Sequence, residues 1–311
     1  MEKIELIKQE IKKAVIGQDT NIEKILAVFL AKGHILLEDI PGVGKTNLAL
    51  ALSKALSMEH NRMQFTTDIM PSDVTGYMMY NAQEHKMEYI PGPVLCNLFL
   101  ADEINRTSSK TQSALLEVME EGQVTVDSIS YKTPQPFMVI ATENPIHIAG
   151  TQPLPESQMD RFMVCLSLGY LSKKDEIDLL KIKQTNNPLD TIQPIVTKEE
   201  LIEMQEKVKE IYVSDEIYSY IVDLVSATRN HSDIRLGISP RGSIQLMNLA
   251  KAMAYIHDRS YVIPSDIKEI IVDVFKHRIL LSSQAKGKQK TSEEIISGII
   301  HEVKEPRIKE K

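Results

Sequence analysis

Eleven residues, LLEDIPGVGKT from Leu36 to Thr46, constrain this chain more than any others. A short apolar run, a glycine-bearing loop and the helix-forming stretch TNLALALSKALS follow in order, which reads as strand, loop, helix. Gly42 and Gly44, on either side of Val43, let successive backbone N–H groups turn inward around a phosphate. Lys45 is then placed to meet the outer phosphates and the Thr46 hydroxyl to hold Mg²⁺. The start of the helix adds a positive dipole end. One position departs from the full pattern: where such loops usually begin with glycine, this chain has Asp39. Aspartate enters the left-handed backbone region more readily than most residues, so the loop is still expected to form.

A second element completes the chemistry. NLFLADEINR is an apolar strand that ends in adjacent acids, Asp102 and Glu103. A strand-end aspartate opposite a phosphate loop holds Mg²⁺ through water. The next carboxylate is placed to take a proton from an attacking water. Together the two elements favour ATP hydrolysis over transfer to a small molecule. A third apolar run ends in ATENP, where Asn144 can bond the γ-phosphate or orient the water.

Strand-like apolar runs at 97–102, 136–142 and 162–168 join the first one, with helical segments between them. This rhythm predicts a parallel sheet with helices on both faces. Two amphipathic helices precede it, ending near Val15 and Lys32. Two alternating stretches, 77–95 and 123–133, predict hairpin insertions. After Gly169 the strands stop, and segments 173–186, 198–210, 214–230, 241–257 and 264–281 read as helices, with a last short helix from Thr291. QAKGKQK (284–290) reads as a polar, mobile stretch. The expected division is therefore an α/β core over 1–172 and an all-α domain over 173–311, within the usual domain size.

Bulk properties exclude several classes. With 311 residues, a net charge of −7 and a pI near 5.7, the chain is a poor match for a general nucleic-acid binder. Cys96 and Cys165 sit singly in apolar runs and read as buried hydrophobes, which with the absence of a leader-like N-terminus points to a cytoplasmic protein. No apolar run is long enough to span a membrane. His34, beside the first strand, reads as a packing residue.

These motifs, in this order, resemble the MoxR-type ATPases of the AAA+ superfamily almost end to end. VIGQD (15–19) resembles the family's segment beside the adenine and brings Ile16 and Gly17 to the nucleotide. LLEDIPGVGKT is similar to its Walker A, LFLADEINR to its Walker B, and ATENP to its sensor 1. PLPESQMDRF (153–162) resembles the arginine-finger segment and LGISPRG (236–242) the sensor 2. The resemblance implies a P-loop core followed by a helical lid, and a ring, with a hexamer expected. It makes Arg161 a finger that reaches the ATP of the next subunit. It makes Arg241 a link from nucleotide to lid within one subunit. Both hairpins become partner contacts around a pore. Implied clients are proteins with von Willebrand factor A domains. Arg106 is a weaker candidate for a contact between subunits. Two other readings share parts of this pattern: the ATPase subunit of a metal chelatase, and a nucleotide-gated scaffold with little turnover.

Overall fold

The computed structural model describes residues 2–40, 42–144, 152–185 and 187–306; Pro41 and Pro145, from the loop and ATENP motifs, lie outside them. Helices α1 (Glu2–Lys12) and α2 (Asp19–Leu30) lead into β1 (Ile35–Glu38), followed by α3 (Lys45–Ala55) and β2 (His60–Gln64). A short α4 (Pro71–Thr75) precedes the hairpin β3 (Gly76–Asn81) and β4 (Lys86–Pro91). Then come β5 (Leu98–Asp102), α5 (Ser109–Glu121), the second hairpin β6 (Gln123–Val126) and β7 (Ile129–Lys132), and β8 (Met138–Glu143). A single turn, α6 (Glu156–Met159), leads to β9 (Val164–Leu166).

The main sheet has the order β2-β5-β8-β1-β9 and every pair in it is parallel. Alternate residues of its strands enter two cores. Ile35, Leu37, Leu98, Leu100, Met138 and Ile140 pack towards α1, α2 and α3. Leu36, Phe99, Ala101, Val139, Ala141 and Cys165 pack towards α5. A sheet covered on both faces needs apolar residues at every position, which is why its inner strands read as continuous runs.

The edge strand β2 shows the converse. Its sequence is HNRMQ, four of its five residues are exposed, and nothing in its pattern announces a strand. It exists because β5 offers it a ladder, with His60 to Gln64 registered on Leu98 to Asp102.

Beyond Gly169 the helices are α7 (Lys173–Thr185), α8 (Lys198–Lys209), α9 (Asp215–Asn230), α10 (Pro240–Ile256), α11 (Pro264–Phe275), α12 (Ser283–Gly287) and α13 (Ser292–Glu302). Two differences from expectation appear here. The predicted helix over 264–281 stops at Phe275, and Leu280–Leu281 forms β11 against β10 (Ile234–Leu236). The predicted helical domain therefore carries one small antiparallel ribbon. The polar QAKGKQK stretch overlaps α12, whose first turn is capped by the Ser282 hydroxyl accepting from the Ala285 N–H. The apolar residues of α1 and α2 belong to the same core as those of α8 to α11, so packing is continuous across residue 172.

Candidate nucleotide site

The carboxyl ends of β1, β5 and β8 lie side by side, and the loop after β1 opens above them. This is the place in an open parallel sheet where ligands enter. Gly42 (φ 90°) and Gly44 (φ 96°) take the left-handed conformations that glycine allows without cost. A Cβ at either would meet no atom within 4 Å, so the loop's inner surface is open. Gly44 caps the start of α3. Lys45 begins the helix and Thr46 follows it.

Asp39 corrects the sequence expectation. It does not use the left-handed region. Its value lies in its side chain, which is 4% exposed. One carboxylate oxygen accepts from the Ser167 hydroxyl (2.8 Å) and the Gly169 N–H (3.0 Å), the other from the Leu168 N–H (2.7 Å). Its carbonyl accepts from Lys45 Nζ at 3.0 Å, and its N–H donates to the Glu143 carbonyl. A glycine here could supply neither the anchor nor the charge. Burial pulls the Lys45 ammonium below its ordinary pKa, while Asp39, Asp102 and Glu103 push it the other way.

Asp102 ends β5 with both oxygens engaged. Thr142 Oγ1 donates to one at 2.7 Å and Arg62 Nη2 to the other at 2.7 Å. Glu103 follows in a left-handed conformation (φ 57°) that costs a non-glycine residue about 1 kcal/mol or more. The Glu103 N–H donates to Thr142 Oγ1 at 2.8 Å, which helps hold that turn. Its carboxylate receives Gln64 Nε2 (2.9 Å) and Arg106 Nη1 (2.8 Å). Arg106 is thus a local partner of Glu103 in this structure. Thr142 sets the geometry of both acids and was not singled out in the sequence, because a threonine inside an apolar strand looks like an ordinary β-former. Asn144 follows β8 directly, 9% exposed, and its carbonyl accepts from Asn105 Nδ2.

Beside the loop lies an open cleft with about 600 Å³ of empty space, part of it open to solvent. Val15, Ile16, Val43, Leu168, Leu171 and Leu179 give it an apolar wall, with Gly42 and Gly44 at one end. Gly17, also in a left-handed turn, abuts Asp175 at the start of α7. Gln18 donates to the Leu168 carbonyl and Asn21 to that of Ser167, so this segment and Asp39 converge on the same stretch after β9. An apolar wall for a base, a glycine loop at a helix start, a lysine and a strand-end acid make up the groups a nucleoside triphosphate with its cation requires. No group of three or more His, Cys, Asp or Glu is gathered among the described residues. A Mg²⁺ here would therefore rely on Thr46, Asp102 and the phosphates rather than on a protein cage.

Arg161 and Arg241 come together elsewhere. Arg161 Nε pairs with Glu120 Oε2 at 3.2 Å, and Arg241 Nη2 pairs with the other oxygen of the same carboxylate. Asp160, the residue before Arg161, accepts from Arg278 Nε (2.8 Å) and from Ser239 Oγ (3.1 Å), the cap of α10. Arg278 is 6% exposed; burial lowers its pKa to about 10, with Asp160 opposing the shift.

The hairpins project from the core with Tyr77, Met79, Tyr80, Met87 and Ile129 exposed. Tyr89 of one stacks on Tyr131 of the other, centroids 3.9 Å apart. His34 is buried as expected, Nδ1 accepting from the Val139 N–H and Nε2 donating to the Met119 carbonyl. Cys96 and Cys165 are buried and free.

Comparison with known proteins gives a consistent result. Residues 34–164 match the model of the ATPase family associated with various cellular activities (AAA), and residues 226–299 match the AAA lid domain. The chain is 47% identical to uncharacterized protein YeaC of Bacillus subtilis, covering 96% of this chain and 93% of that one. It is 36% identical to chaperone MoxR1 of Mycobacterium tuberculosis, covering 96% and 81% respectively. A crystal structure described as "a putative ATPase" from Cytophaga hutchinsonii superposes with a TM-score of 0.91 at 39% identity, covering 98% of this chain and 96% of that one.

Proposed function

Because this chain belongs to the MoxR-type ATPases of the AAA+ superfamily, we propose that it hydrolyses ATP with Mg²⁺ between subunits of a ring, and that the cycle remodels or matures partner proteins. The observation that carries the reading is the glycine loop after β1, with Lys45 at the head of α3, set beside the strand-end acids Asp102 and Glu103, whose charges act on that lysine. Ile16, Gly17 and the apolar wall of the cleft receive the base; Gly42, Val43, Gly44 and Lys45 receive the phosphates. Thr46 and, through water, Asp102 would hold Mg²⁺, which would supply positive charge to the triphosphate. Glu103 takes the proton of the attacking water as the bond between the γ-phosphorus and the β–γ bridging oxygen breaks, releasing ADP and phosphate. Asn144, at the end of the neighbouring strand, orients that water.

Two features support a multi-subunit site. Arg161 and Arg241 sit together and partly exposed at Glu120, available to an anion from outside the subunit. Tyr170, Ile177 and Leu180, on and just before α7, are exposed beside the cleft, where a neighbouring subunit would cover them. The exposed aromatic and methionine side chains of the hairpins suit contact with a protein client, including the von Willebrand factor A class that the family resemblance implies. No helix among the described residues is long and apolar enough to cross a membrane, which suits a cytoplasmic machine.

Replacing Glu103 with Gln keeps the shape but removes the base. Phosphate release should fall about 10²- to 10³-fold while ATP binding persists. Undiminished hydrolysis in Glu103→Gln would remove Glu103 from the mechanism. The same variant, stalled with ATP, should retain its client in affinity capture.

A further inference from the structure

The shared carboxylate between Arg161 and Arg241 invites explanation. Two guanidinium groups drawn to one point repel unless an anion lies between them. Glu120 is that anion, giving one oxygen to each. It stands in the last turn of α5, where the helix's own carbonyl end adds negative potential. The backbone around the two arginines is fixed independently. Asp160 is bonded to the buried Arg278 and to the Ser239 cap, which joins the segment before Arg161 to the start of the helix bearing Arg241. Gln245, one turn into that helix, donates to the Asp160 carbonyl and accepts from Arg278. Rigid attachment of both backbones leaves the side-chain ends as the remaining freedom, and Glu120 removes it.

We propose that Glu120 is the positioning residue of the arginine pair, holding Arg161 and Arg241 as one two-pronged cation aimed at the nucleotide of the neighbouring subunit. This rests on the reading that Arg161 serves that neighbour. It also places Arg241 with the finger rather than at its own subunit's cleft. Exposed ion pairs are weak, so a γ-phosphate can draw the two guanidinium groups away without a large cost. The side chains of Glu120, Arg161 and Arg241 are 37%, 29% and 40% exposed, which fits such an exchange.

Mixed assemblies test the idea. Arg161→Ala subunits keep an intact nucleotide loop, while Lys45→Ala subunits keep intact arginines but lose their own site. Mixed, and shown by crosslinking to co-assemble, they should recover hydrolysis where a Lys45→Ala subunit serves an Arg161→Ala neighbour. Adding Glu120→Gln to the Lys45→Ala subunit should lower that recovered rate about tenfold, since a small misplacement of a catalytic group is costly. Glu120→Asp, which keeps the charge, should restore part of it, and ATP binding to the Arg161→Ala subunit should not change. No recovery with Glu120 intact overturns the shared-site reading beneath the proposal. Recovery that Glu120→Gln leaves undiminished, or increases, overturns the proposal itself. If Glu120→Gln subunits do not co-assemble, Glu120→Asp carries the test: a recovered rate equal to that with glutamate overturns it.

Discussion

Glu143 ends β8 directly opposite Glu38 of β1, and one of its carboxylate oxygens is buried without a hydrogen-bond partner among the described residues. Burial pushes its pKa up to about 7, and the Glu38 charge adds to the shift. An acid whose pKa is raised on folding stabilises the fold while both states hold the proton, below about 4.5. That contribution is lost as the pH rises through about 7, where the folded chain must bury a charge. From this group alone the protein should lose about 2–3 kcal/mol of stability between pH 5 and pH 8. Glu143→Gln should remove that slope and melt higher than the parent at pH 8, with little difference at pH 5. Chemical denaturation at both values checks it; parallel slopes in parent and variant would refute the assignment. The position matters because the Glu143 carbonyl also accepts from Asp39, so the charge sits against the root of the phosphate loop.

At the scale of elements, the hairpins are the parts most free of the core, yet they are joined to each other. The Tyr89–Tyr131 stack lies nearly parallel at 19°, and an aromatic pair of this kind is worth about 0.5–1.5 kcal/mol beyond its buried area. A double-mutant cycle of Tyr89→Ala and Tyr131→Ala should return a coupling of that size in chemical unfolding. Additivity within about 0.3 kcal/mol would mean the two hairpins stand independently. Both hairpins were legible beforehand because each alternates along its strands, as did the inner sheet strands because burial on both faces demands unbroken apolar runs. β2 was not legible: an exposed edge needs no apolar residue, so its strand character comes entirely from β5. The two-residue β11 was absorbed into a helix for a related reason, since Leu280 and Leu281 extend the apolar face of α11 in one dimension. The site divided along the same line. Loop, lysine and strand-end acids carry their chemistry in their own sequence. Thr142 and Arg62 act only through residues about 40 positions away, and Glu120 through Arg161 and the still more distant Arg241; their roles come from the sheet and from α5.

For the whole molecule, the decisive feature is that one of its two cores reaches from α1 to α13. Ile22, Ile25 and Phe29 of α2 lie in it with Leu246, Leu249 and Met253 of α10, and Gln205 of α8 donates to the Phe29 carbonyl. Lys24–Asp273 and Lys32–Glu206 pairs cross the same junction. A fragment ending at residue 172 would expose this surface. It should bind hydrophobic dyes and melt without a sharp transition, whereas the full chain should unfold in one step. A fragment that melts cooperatively would show that the two parts fold independently. The same continuity gives Asp39 a mechanical meaning. Its three bonds pin the base of the phosphate loop to Ser167–Gly169, and that strand of chain runs straight on into α7. Loop and α7 are thereby two arms of one lever with a carboxylate as its fulcrum. A shift of the loop would have to carry these three bonds and the start of α7 with it, whereas a glycine at residue 39 would leave that joint unbonded.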